Sequence, residues 1–195
     1  MTNLFSFRPT SAWVMAGVVV FFDLLFVVQV LFYGDGSWFT QFTLIAASVI
    51  LAWLLFVHPR VLIYDEGITI VNPFITATMG WAEVDEIETR YALTVFSGSA
   101  KVVAFAAPAP GRYQARTIHK SEFRGVEHER DFGVRPGDSP RTHSGAAALV
   151  ARTRLENFKT RGGASARRQG KFNVAGTALL LLGGVLVTVG QLIHL

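Results

Sequence analysis

A chain of 195 residues that is 51% hydrophobic and only 16% charged is too apolar for an ordinary soluble domain, and it points to a membrane protein of one or two domains. It has no cysteine, which excludes disulfides, thiolate metal sites and cysteine nucleophiles. The net charge of +4 is unevenly spread: apart from Arg8, every Lys and Arg lies between Arg60 and Lys171.

Residues 1–12 read as a polar lead. It has no charged n-region, and no small-residue cleavage site follows the first apolar run, so an uncleaved anchor is expected. Residues 13–33 are almost wholly apolar and long enough to span the hydrocarbon layer, with Trp13 and Tyr33 as interfacial brackets. A tight turn at 34–37 leads to a second apolar run, 38–57. Residues 1–57 are thus expected to form an N-terminal transmembrane hairpin.

From residue 58 the pattern changes to short β-rich runs separated by Gly, Pro, Asp and Ser, the mark of an antiparallel meander. Strands are expected at 61–64, 68–72, 75–81, 92–96 and 101–105. Residues 107–111 break the sheet. Residues 112–145 read as a long loop with one short strand near 116–118. A helix capped by Ser144 or Gly145 should run to about Arg161, with Ala147, Val150, Ala151, Leu155 and Phe158 on one face and Arg152 and Lys159 pointing away. Residues 161–171 form a basic, Gly-rich linker, and 172–195 hold a third apolar run of spanning length.

The charge distribution orients the chain. The turn between the first two spans carries no Lys or Arg, whereas Arg60, Arg167, Arg168 and Lys171 flank spans directly. The positive-inside rule therefore predicts a multi-pass protein of the plasma membrane. The N-terminus and central domain would be cytoplasmic and the C-terminus outside. The same four cations are candidates for contact with anionic headgroups, although fixing topology is their main expected role.

Several pieces in order carry a family resemblance: His58-Pro59-Arg60 leaving a span, Tyr64-Asp65-Glu66-Gly67, Ile70-Val71-Asn72-Pro73, Trp81 with Val84-Asp85-Glu86-Ile87, and Ala106-Ala107-Pro108-Ala109-Pro110-Gly111. Residues 58–160 resemble the bacterial PH-like domain of small actinobacterial membrane proteins. The resemblance implies a PH-like β half-barrel closed by a C-terminal helix. With the apolar runs and the charge distribution, the expected fold class is an α+β membrane protein with three transmembrane helices, an N-terminal hairpin plus a C-terminal span, around that cytoplasmic half-barrel. The resemblance further implies similarity to accessory subunits of the respiratory supercomplex that joins a cytochrome bc complex to a terminal oxidase. Fold alone does not imply a ligand.

Few residues invite chemistry. Asp23 lies mid-span, where a carboxylate costs about 3 kcal/mol or more on insertion scales, and no other span offers a cation. It is either a protonated acid at a helix interface or a proton or ion site, and the first is the simpler reading. Gly176, Gly183 and Gly190 recur every seven residues on one face, which lets another helix of the chain or of another subunit approach. Glu83, Asp85, Glu86 and Glu88 read as a solvated edge or protein contact, since they lack cation-loop spacing. His119, His128 and His143 lack metal-ligand spacing, and no nucleophile, phosphate-loop or dinucleotide fingerprint occurs. No enzyme, metal, cofactor, nucleic acid or small-molecule substrate is expected. The expected role is a non-catalytic accessory subunit whose partners are other membrane proteins and lipids. The alternative is a stand-alone module that binds anionic lipid or a cytoplasmic protein.

Overall fold

The computed structural model describes residues 2–33, 38–111 and 136–193. The turn at 34–37, the loop at 112–135 with His119 and His128, and the strand expected at 116–118 lie outside the described residues. The chain divides into two compact units, Met1–Pro9 with Pro59–Lys171, and Thr10–His58 with Phe172–Leu195.

The helical unit has three helices long and apolar enough to cross a membrane: α1 (Thr10–Tyr33), α2 (Trp38–Ala52, continued by a π-turn at Trp53–Val57) and α3 (Val174–Ile193, placed after the domain helix α4 described below). Their outward faces are apolar, as Phe22, Phe32 and Leu181 illustrate. Helix α2 packs against both α1 and α3. The π-turn closes with the His58 amide donating to the Trp53 carbonyl at 2.8 Å, just before Pro59 ends the helix by lacking a backbone N–H.

The second unit is α+β. Its larger sheet runs β1 (Phe5–Phe7), β2 (Arg60–Tyr64), β3 (Gly67–Val71), β4 (Ile75–Gly80) and β8 (Gln169–Phe172), in that spatial order. The smaller one is β5 (Glu86–Glu88), β6 (Ala92–Ser97) and β7 (Ala100–Pro108). Helix α4 (His143–Arg161) covers the core between them. Alternation along the strands decides what lies inside: Val61 and Ile63, Ile68 and Ile70, Met79, Leu93 and Val95, and Ala104 and Ala106 meet Ala147, Ala148, Ala151 and Leu155 of α4. Val150 and Phe158 pack at the margin.

Turn chemistry sets the registers. Gly98, at φ +57°, holds the first place of the two-residue β6–β7 turn, where a side chain would be strained. Gly67 is required by close approach, because a Cβ there would stand 2.4 Å from the Met79 carbonyl oxygen.

The structure differs from the sequence reading at several places. The N-terminal lead supplies β1, paired Phe5 to Ile63 and Phe7 to Val61. The acidic connection contains β5, and the basic linker ends in β8. The cap of α4 is Thr142, whose hydroxyl accepts from the Gly145 amide at 3.0 Å, and not Ser144 or Gly145. Ser144 instead donates to the Gly137 carbonyl at 2.9 Å. Arg152 does not point away: it reaches to β5, donating to the Ile87 carbonyl at 2.8 Å and to Asp138 at 3.0 Å.

Candidate functional site

Strand register places the chain's passages to the apolar helices. Phe7 pairs with Val61, Arg60 with Val71, and Val71 with Thr76, so the ends of β1 and β3 and the starts of β2 and β4 share one end of the larger sheet. At the other end, the Ala166 amide donates to the Glu66 carbonyl at 2.8 Å. There too the Ala82 amide donates to Ser165 Oγ at 3.1 Å. From there β8 runs beside β4 back toward the first end. The chain therefore leaves the sheet for all three apolar helices, after Phe7, before Arg60 and after Phe172, at one end.

Between the outer face of this sheet and the returning segment lies a groove of about 430 Å³. Its sheet side carries Tyr64, Thr76 and Thr78, and its other side carries Ser165, Arg167, Gln169 and Lys171. Tyr64 OH bonds Thr69 Oγ1 at 3.0 Å, which bonds Thr78 Oγ1 at 2.9 Å. Glu66 is the one carboxylate in the lining, and Thr2 donates to it through its amide at 3.2 Å and its hydroxyl at 3.0 Å. Desolvation pulls the Glu66 carboxyl up, but hydrogen bonds from the Thr2 side chain and from backbone N–H groups outweigh it, so its pKa is lowered overall.

The cations singled out by sequence separate here. Arg167 and Lys171 line the groove, whereas Arg168 and Arg60 do not. Arg60 stands at the sheet end, and its buried Nε has no hydrogen-bond partner among the described residues. In the helical unit, a Cβ on Gly190 would stand 3.1 Å from Thr40 Oγ1, one on Gly183 3.6 Å from the Ala47 Cβ, and one on Gly176 2.8 Å from Leu54 Cδ1. The three glycines thus face α2 of the same chain, and Thr40 fixes the register by donating to the Gly190 carbonyl at 2.9 Å. Asp23 shares the less exposed face of α1 with Ala16, Val19, Val27 and the buried Val30. Its Oδ2 is buried with no hydrogen-bond partner among the described residues.

The acidic run does not gather. Asp85 accepts from the Gly98 amide and so braces the β6–β7 turn. Among the described residues no group of three or more His, Asp or Glu is placed to hold a metal ion. His143 opens α4, with its ring 6.1 Å from that of Phe7.

Two sheets, their order and a covering C-terminal helix describe a PH-like half-barrel. Residues 58–119 match the family model of the bacterial PH domain. No curated protein and no solved structure matches the chain. The matched stretch takes in β2 to β7 of the PH-like domain, while β1, α4 and β8 lie outside it. Sequence reading missed the groove's hydroxyl floor. The signals were alternation: Thr76 and Thr78 on one strand face, and Arg167, Gln169 and Lys171 at every second position.

Proposed function

We propose that this chain is a non-catalytic, membrane-anchored binding module. Three spans hold the PH-like domain at the cytoplasmic membrane surface, where it meets lipids and the cytoplasmic faces of other membrane proteins. The observation that carries this reading is the common exit: every passage to an apolar helix leaves the larger sheet at one end. The domain's polar side chains support a scaffolding role, since Asn72, Asp85, Asp138 and Arg152 all make bonds that hold the fold. Sidedness follows from the cations flanking the spans.

A finer assignment, accessory subunit of an actinobacterial cytochrome bc–terminal oxidase supercomplex, rests on the sequence resemblance. Asp23 favours a partner within the membrane, because a buried carboxylate oxygen without a hydrogen bond is expensive to keep in a lone helix bundle. Purification of the tagged protein from its native membrane in mild detergent, with mass spectrometry and a haem spectrum of the eluate, tests it. Stoichiometric cytochrome subunits support the assignment, and a homogeneous single chain without haem bands contradicts it.

A further inference from the structure

We propose that the groove between the outer sheet face and β8 is a binding site for a phosphate group, carried by the headgroup of an anionic phospholipid. This deepens, and rests on, the reading of the domain as a membrane-held binding module. A free phosphate ester presents the same oxygens, so the test below separates the two sources.

The groove is built from hydrogen-bond donors. Tyr64, Thr69 and Thr78 have three hydroxyl protons, and the two bonds among them use two, leaving one to donate outward. Thr76 adds a hydroxyl two residues before Thr78, on the same face of β4. Across the gap Arg167, Gln169 and Lys171 line the wall, while the intervening Arg168 and Gly170 do not. Neither the Arg167 nor the Lys171 side chain has an ion pair or hydrogen bond among the described residues. Their charges exceed the single negative charge of Glu66, whose oxygens are occupied by Thr2. Guanidinium, ammonium and hydroxyl donors around one space match the acceptor oxygens of a phosphate.

The wall is also fixed in place. The bonds from Ala166 to Glu66 and from Ala82 to Ser165 hold its start. Gly80 admits it, since a Cβ there would stand 2.1 Å from the Ala166 carbonyl oxygen. A volume of about 430 Å³ is more than a bare phosphate fills and suits a headgroup. The lipid source is favoured because Lys171 precedes the apolar helix beginning at Val174 by three residues, which puts it where headgroups are.

Arg168 provides an internal control, with the same charge on the same segment but outside the groove. The test uses the full-length protein purified in a neutral detergent. It is titrated by calorimetry with short-chain phosphatidylglycerol, with the matching diacylglycerol that lacks phosphate, and with inorganic phosphate. Phosphatidylglycerol should bind and diacylglycerol should not. Arg167→Gln and Lys171→Gln should each weaken phosphatidylglycerol binding about tenfold, the scale of one lost charge-assisted bond. Thr78→Val should weaken it severalfold, and Arg168→Gln should change it less than about twofold, as expected for a screened surface charge. If inorganic phosphate displaces the lipid at comparable affinity and with the same dependence on Arg167, the phosphate site stands and its source is soluble. Equal losses for Arg167→Gln and Arg168→Gln, or equal binding of diacylglycerol, overturn the proposal. Unchanged melting temperatures of the variants exclude misfolding as the cause. A negative result in protein that still inserts and co-purifies with its partners would remove the groove and leave the module reading intact.

Discussion

Asn72 joins the two sheets with one side chain. Its Nδ2 donates to the Val103 carbonyl at 2.7 Å, and its Oδ1 accepts from the Phe105 amide at 2.9 Å, so it pairs the edge of β7 as a short strand would. Asn72→Ala removes both bonds and should destabilise the domain by about 1–3 kcal/mol, read from denaturant unfolding. Arg152 plays the matching part at the helix. It ties α4 to β5 and to Asp138, which also accepts from the buried Thr89 at 2.6 Å. Neither role was legible in sequence, where Asn72 read as the last residue of the strand at 68–72 and Arg152 as a residue pointing away from the core, because both depend on partners far along the chain. Glu66 gives a pH dependence. A carboxylate whose folded pKa is lowered stabilises its contact at pH above the ordinary value and loses that contribution as pH falls through the lowered one. The Asp65 amide, which donates to the Thr2 carbonyl at 3.2 Å, should therefore lose exchange protection on acidification. In Glu66→Gln that pH dependence should flatten, as measured by hydrogen exchange corrected for intrinsic rates.

At the scale of elements, the glycine stripe of α3 was legible from its seven-residue spacing, but its partner was not. Small residues on one face say that a helix comes close, and only the register with Thr40, Ala47 and Leu54 identifies it as α2. The pairing makes unequal predictions. Gly190→Leu puts a side chain against Thr40 and should destabilise the detergent-solubilised protein by about 1–3 kcal/mol in thermal or denaturant unfolding. Gly183→Ala meets Ala47 at ordinary contact distance and should be neutral, or stabilising by up to about 1 kcal/mol through helix propensity. The central strands and α4 were legible because their alternation and helical spacing are set by a buried face. β1, β5 and β8 were not. Each has three or four residues, too few for alternation to register, and each exists because an existing strand edge is there to pair with.

At the scale of the molecule, three apolar helices and an α+β domain were both evident from composition and pattern. How the chain threads them was not. The tripeptide Phe5–Phe7 joins the domain before the first helix begins, and Gln169–Phe172 rejoins it after α4, so the domain is closed by segments from both sides of the helical hairpin. This arrangement underlies the proposal that the domain is held at a membrane surface, and the cations flanking the apolar helices carry the proposal that this surface is the cytoplasmic one. Because the chain has no cysteine, single substitutions report on it without background. The most direct measurement is labelling of Ser37→Cys, between the first two apolar runs, and Ser99→Cys, in the exposed β6–β7 turn, with a membrane-impermeant maleimide. Ser37→Cys should be labelled in intact cells and Ser99→Cys only after permeabilisation. Labelling of Ser99→Cys in intact cells, with Ser37→Cys protected, would contradict it.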